Sequence, residues 1–193
     1  MEKKAATTFC PSNKKQWRAW LKANHNKEQS VWLICYKQKS GMPTISWSDA
    51  VDEALCFGWI DGKAKPIDDD KFMRSFSRRK PRSMWSRINK EKVQKLIDDG
   101  SMTKAGLACV EIAKQNGSWE ILDDIEDLIV PDDLEKALKT KRGSKAFFLS
   151  LSKSSKKIML SWVTLAKRPE TRQKRISEIV ENAAQKLKPE QFR

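Results

Sequence analysis

Histidine is nearly missing from this chain, tyrosine occurs once, and no apolar run approaches the length of a membrane helix. Each shortage removes a class of function. His25 stands alone between Asn24 and Asn26, near an expected helix end, which argues against histidine-based triads and histidine metal sites. The four cysteines, Cys10, Cys35, Cys56 and Cys109, form no Cys-x-x-Cys pair. Three of them sit beside Ile34, Phe57 and Val110 and read as small buried apolar residues, which suits a reducing compartment. The glycines form neither a Gly-x-x-x-x-Gly-Lys loop nor a Gly-x-Gly-x-x-Gly turn after a strand, so those routes to nucleotide binding are closed. Asp68 to Asp70 lacks the spacing of a calcium loop. The N-terminal Met-Glu-Lys-Lys-Ala-Ala-Thr-Thr is not followed by the apolar stretch of a leader. No metal, no cofactor and no membrane insertion are expected, and the expected location is the cytoplasm.

What is abundant is positive charge. Among 193 residues, 39 lysines and arginines stand against 25 acids, a net charge of +14. Such a balance favours nucleic acid, anionic lipid surfaces or phosphorylated ligands, with plain solubility as the bland alternative. The charge is unevenly placed. Lys71, Arg74, Arg78, Arg79, Lys80, Arg82, Arg87 and the lysines to Lys95 meet only Glu91. From 118 to 135 the sign reverses, with acids from Glu120 to Glu135 and no lysine or arginine. That stretch reads as a linker or as a strap over a basic face. The chain beyond it is basic again.

Residues 1 to 8 read as a loose tail. Ser12 is the expected N-cap of a helix carrying Trp17, Trp20 and Leu21. Ser30 to Lys37 reads as a strand, rich in β-branched and aromatic residues. Ser46 with Asp49 resembles a capping box, starting a helix through Ala50, Val51, Ala54 and Leu55 that stops at Gly58. Trp59 to Ile67 and Phe72 to Ser77 read as a hairpin, with Gly62 at a bulge or close approach. Ser83 or Asn89 caps the next helix, with Val93, Leu96 and Ile97, and Thr103 to Asn116 is another, with Leu107, Val110 and Ala113 inward. From Pro131 the chain is helical. Ser144 is a candidate cap, Ile158 and Trp162 lie on a wide apolar face, and Pro169 begins a last helix with Ile176, Ile179, Val180, Ala183 and Leu187 buried. The reading is an α+β fold: a small antiparallel sheet packed with helices over 1–117, an acidic segment over 118–130 and a helical unit over 131–193.

The strongest chemical signal is Arg78-Arg79-Lys80-Pro81-Arg82-Ser83. Guanidinium forks match phosphate and carboxylate oxygens, and Ser83 with the N–H groups behind it would form a helix-start anion site. Trp59 and Trp85 flank this run and could stack a base or sugar ring. Trp17, Trp20 and Trp162 read as core, and Trp47 near a helix start is open. Asp61, between Ile60 and Gly62, would pay several kcal/mol if buried alone, so it pairs with Arg74 or Arg78, or else acts as a general base. A second basic group gathers Lys167, Arg168, Arg172 and Arg175 at the start of the last helix, where a local anion or carboxylates from the acidic stretch are needed.

These residues carry a resemblance. Glu53-Ala54-Leu55-Cys56-Phe57-Gly58-Trp59-Ile60-Asp61-Gly62, then Arg78 and Arg79, Ser83-x-Trp85-Ser86 and Asn89 resemble the bacterial YdeI/OmpD-associated family, also called bacteriocin-protection proteins. So do Gly100-x-Met102, Gly117-x-Trp119, Val130-Pro131-Asp132-Asp133-Leu134, Trp162, Ala166-Lys167 and Glu170-Thr171-Arg172. One departure is Ser77-Arg78-Arg79, where Thr-Pro-Arg is expected. The resemblance implies a small cytoplasmic bacterial protein of two parts, tied to stress or antimicrobial tolerance, and transfers no reaction. The leading expectation is a protein binding an anionic small molecule or nucleic acid through Trp59, Asp61, Arg78, Arg79, Arg82, Ser83 and Trp85. The alternatives are an enzyme on a phosphorylated or carboxylated metabolite with Asp61 as base, and an interaction module for acidic partners.

Overall fold

Val31, Leu33 and Cys35 are buried, while Trp32, Ile34 and Tyr36 between them are only partly so. That alternation makes β2 (Ser30–Tyr36) a half-buried strand at the heart of a four-stranded sheet. The computed structural model describes residues 7–193, so residues 1 to 6 of the expected loose tail lie outside the described residues. The tail's last residue is already ordered. Thr8–Phe9 forms β1, pairing in parallel with β2, Thr8 opposite Trp32 and Phe9 opposite Leu33. The sheet is therefore mixed at one edge and antiparallel elsewhere, in the order β1-β2-β4-β3. β3 (Trp59–Pro66) and β4 (Lys71–Arg78) form the expected hairpin, with a register shift between Asp61 and Ala64. A Cβ on Gly62 would come 2.6 Å from Ser75 Oγ, so the glycine leaves that hydroxyl its position at the irregularity.

Helices α1 (Lys14–Asn24) and α2 (Trp47–Cys56) supply the apolar partners of this sheet. Trp17, Leu21, Ala54 and Leu55 join Val31, Leu33 and Phe76 in one core. The buried Trp17 indole donates to the Ala50 carbonyl at 3.0 Å, so its N–H is not stranded. Asn13 rather than Ser12 caps α1, accepting from the Gln16 amide. Ser46 caps α2 as expected, accepting from the Asp49 amide and donating to its carboxylate at 2.6 Å. The turn out of α2 needs Gly58 at φ +72°, and a Cβ there would also lie 2.5 Å from Cys109 Sγ.

Helices α3 (Arg87–Asp98) and α4 (Lys104–Gln115) complete the first unit, which runs to Trp119. Ser86, not Ser83 or Asn89, is the N-cap of α3, its hydroxyl accepting from the Asn89 amide. Ser86→Ala is expected to lower stability by about 1 kcal/mol. Ser83→Ala should stay within about 0.5 kcal/mol. Urea midpoints at unchanged m decide between them. On α4 the buried stripe is Gly106, Val110 and Ala113, because Gly106 lets this helix close on the end of α2. Leu107, one residue and ~100° further round, is exposed instead of inward. Ile97 on α3, and Ile158 and Leu187 further on, are likewise exposed.

The second unit, Glu120–Arg193, is helical: α5 (Asp123–Glu126), α6 (Asp132–Thr140), α7 (Ser144–Ser150), α8 (Lys153–Thr164) and α9 (Pro169–Ala184). Its core gathers Ile125, Leu134, Leu138, Phe148, Leu160, Val163, Ile176 and Ile179. Ile125 belongs to the acidic stretch, which thus adds an apolar residue to this core. Ser144 is not a cap but the first residue of α7; its buried hydroxyl bonds the Leu138 carbonyl at 2.6 Å. Among the described residues no helix is long and apolar enough to cross a membrane.

Candidate functional site

The arginine run leaves the end of β4 and is not one cluster. Arg78 turns its Nε to the Glu28 carbonyl at 2.8 Å. Arg82 is exposed on the loop. Arg79 goes inward: its amide donates to the Gly58 carbonyl at 2.9 Å, and its side chain is 7% exposed. The guanidinium carbon lies 3.5 Å from the centroid of the Trp85 ring, and Nη1 donates to the Met84 carbonyl at 2.8 Å. Nε and Nη2 are buried without a hydrogen-bond partner among the described residues. Burial pushes this guanidinium down to about 10, with Cys109 and Asp61 acting weakly the other way.

The loop that carries Arg79 is pinned. The Lys80 amide donates to Ser83 Oγ at 3.1 Å, and the Ser83 amide donates back to the Lys80 carbonyl at 2.9 Å. The Pro81 carbonyl accepts from Asn116 Nδ2 at 2.8 Å and from Ser118 Oγ at 3.3 Å. Ser83 therefore closes a turn and starts no helix, so the helix-start anion site expected there is not formed. The expectation that Trp59 and Trp85 offer stacking faces is also corrected. Both are 1% exposed. Trp59 packs edge-on to Trp20 and donates to the His25 carbonyl at 3.4 Å. Trp85 lies against Arg79 and Trp119. Burying so large a ring stabilises the core more than display to solvent would.

Asp61 is paired, and its partner is Arg74 rather than Arg78. Arg74 Nη1 donates to Asp61 Oδ2 at 3.1 Å, and the Trp47 indole donates to the same oxygen at 3.2 Å. Arg74 also sits 5.3 Å over the Trp47 ring. Trp47, 60% exposed, is thus the partner that the sequence left open. That carboxylate oxygen is already engaged by a cation and an indole N–H, so Asp61 stands as an ion-pair partner in the sheet.

Concave spaces of the first unit lie elsewhere, one of about 430 Å³ being lined by Tyr36, Ser40, Met42 and Asp68 to Lys71. A cavity of about 330 Å³ is lined by Lys14, Ser48, Asp52, Lys92 and Asp99. Its central cation is engaged, Lys92 Nζ donating to Asp52 at 2.5 Å and to Ser48 at 2.8 Å. In the second unit, the four basic residues around the start of α9 divide. Arg172 grips Asp133 with Nε at 2.6 Å and Nη2 at 2.8 Å, and holds that carboxyl below its usual range. Arg175 donates to the Trp162 carbonyl at 2.5 Å and lies over its ring. Lys167 and Arg168 stay exposed beside a cavity of about 420 Å³. The demand for a carboxylate from the acidic stretch was legible, and Asp133 meets it; which of the acids would do so was not.

Among the described residues no group of three or more His, Cys, Asp or Glu could hold a metal ion. No curated protein and no solved structure matches the chain. Two family models do. Residues 127–186 match the model described as bacteriocin-protection, YdeI or OmpD-associated. That model does not extend to the N-terminal residues read as its signature; residues 9–109, just over half of the chain, match a different one. The chain thus belongs to the family described as a domain of unknown function, DUF8412, and its C-terminal segment is similar to the YdeI or OmpD-associated family.

Proposed function

We propose that the N-terminal unit binds a small oxyanion, the phosphate or carboxylate of a small molecule, with Arg79 as its anchoring cation. One observation carries this reading: Nε and Nη2 of a buried guanidinium are left without a partner. Those two groups form the side-on edge of the fork, which takes two oxygens at once. Arg172 uses the same edge on the Asp133 carboxylate. A cation this buried destabilises the folded state unless it is paired. With its value pushed well below the ordinary guanidinium value to about 10, the penalty is about 3 kcal/mol. Folding here weakens proton binding, so the penalty stands in full below about 10 and is relieved as pH rises from there towards the ordinary guanidinium value. An oxyanion reaching that unpartnered edge would offset it.

The buried edge favours a small ligand over a polymer, whose backbone phosphates are held in a chain. Asp61, held by Arg74 and Trp47, gives no support to a base role. The similarity of residues 127–186 to the bacteriocin-protection, YdeI or OmpD-associated family supports a link to bacteriocin tolerance, though a net charge of +14 is unsuited to trapping cationic peptides directly. The four free cysteines fit a reducing compartment, and we place the protein in the cytoplasm.

The test is thermal unfolding and titration calorimetry with inorganic phosphate, sulfate and citrate. The parent protein should gain about 2.7 kcal/mol at an oxyanion concentration of ~100 Kd. Arg79→Met should lose the response while keeping its own stability within about 1 kcal/mol, since it removes an unpaired buried charge together with one hydrogen bond. Arg79→Lys should bind weakly, having the charge without the fork. No response by the parent protein, or an equal response by Arg79→Met, sinks the assignment.

A further inference from the structure

The outward face of the sheet carries a pattern that Arg79 does not use. Side chains alternate along a strand, so Trp32 and Tyr36 point away from the core that holds Val31, Leu33 and Cys35. The register sets Ser75 of β4 beside Trp32, Met73 beside Ile34 and Lys71 beside Tyr36. Lys65 of β3 lies next to Met73. All of these side chains remain partly or fully exposed. The Lys65 ammonium sits 5.0 Å from the centroid of the Trp32 ring, and the Lys71 ammonium 5.4 Å from that of Tyr36.

Two aromatic rings, each with its own lysine, therefore stand four residues apart on one strand, a separation of about 13 Å. Among the described residues, no outward position of β2, β3 or β4 is a carboxylate. In the hairpin turn the Asp68 carboxylate accepts from the Asp70 and Lys71 amides and stands 3.9 Å from the Lys71 ammonium, a solvated pair that is weakly held. The lysines are long and at least partly solvated. A cation over an exposed ring is weakly held, so each can swing from ring to phosphate. A π face for a base and a cation for the adjoining phosphate are what a single strand requires, whereas a duplex keeps its bases stacked inside. The net charge of +14 brings such a strand in.

We propose that this face binds single-stranded nucleic acid, with one base on Trp32, another on Tyr36, and Lys65 and Lys71 on the intervening phosphates. The full chain would be titrated into fluorescein-labelled dT12 and U12, with binding followed by anisotropy at several salt concentrations. Affinity should fall with salt. Trp32→Leu and Tyr36→Leu should each weaken binding by about fivefold or more, with thermal unfolding recorded to show that the variants remain folded. Lys65→Gln should flatten the log–log salt slope by about 0.7. Arg79→Met should bind oligonucleotide as the parent protein does, which separates failure here from failure of the oxyanion reading. No binding at low salt, full affinity in both aromatic variants, or equal affinity for a duplex of the same length would overturn the proposal. The last two outcomes would mean attraction to the basic surface at large.

Discussion

Gly106→Ala is expected to destabilise the first unit by about 3 kcal/mol, although the same change inside a helix ordinarily stabilises by about 1 kcal/mol. The sign reversal is the informative part. A Cβ at position 106 would lie 2.4 Å from the Cys56 carbonyl oxygen and 2.8 Å from the Cys56 carbon and the Leu55 oxygen. All three are backbone atoms of α2, so no side chain can rotate out of the way. Relief requires α4 to back away from α2. The Cys56 carbonyl also accepts from Thr103, from its hydroxyl at 2.6 Å and its amide at 3.2 Å. Backing away stretches both bonds at the N-cap of α4. Steric repulsion therefore outweighs helix propensity. Thermal unfolding should fall by roughly 10 °C. A midpoint equal to or above that of the parent protein would mean that the two helices do not meet at Gly106.

A second large effect is expected at Arg18. Glu53, in the middle of α2, is 2% exposed, and its Oε2 receives Arg18 Nη1 at 2.7 Å. Lys14 stands at 3.5 Å from the other oxygen, and Arg18 Nη2 also holds the Ser101 carbonyl at 2.8 Å. Arg18→Ala leaves a buried carboxylate with only a half-exposed lysine nearby. Removing one partner of such a pair costs about 3 kcal/mol. Lys14→Ala removes a solvated contact and should cost less than about 1 kcal/mol. The double change Arg18→Ala with Glu53→Leu should be milder than Arg18→Ala alone, because the stranded charge is gone. Urea unfolding of the variants tests the ordering. An Arg18→Ala protein within about 0.5 kcal/mol of the parent would show that water already solvates Glu53.

The elements that could be read from sequence are those set by local chemistry. Ser30–Tyr36 alternates and is β-rich, Ser46 and Asp49 announce a helix, and Gly58 ends it. What could not be read depends on partners distant in sequence. Thr8–Phe9 is too short to carry a pattern and is a strand only because β2 lies beside it. Ser83, Ser86 and Asn89 are all good N-caps, and the turn at Lys80–Ser83 decides in favour of Ser86. Within Arg78-Arg79-Lys80-Pro81-Arg82, residue type is nearly constant. Only the three-dimensional path sends Arg79 inside and Arg82 out. Trp59 and Trp85 misled because closeness to arginine in sequence fits a ligand platform and a buried cation–ring stack equally well. Asp61 was legible as an ion-pair partner because an isolated carboxylate in an apolar context is costly, and Arg74 supplies the charge.

The ties at Pro81 fix where this fold ends. The family match stops at residue 109, yet Asn116 and Ser118 clasp the Pro81 carbonyl, and Trp119 closes on Trp85, the ring beneath Arg79. Ser118 is 1% exposed, interior by any measure. A fragment cut after residue 109 would keep every strand and the arginine itself. It would lose the last turns of α4 and the latch that holds the loop in register. The smallest self-standing version of this domain is therefore set by a latch ten residues beyond the match, and excision should be made after Trp119.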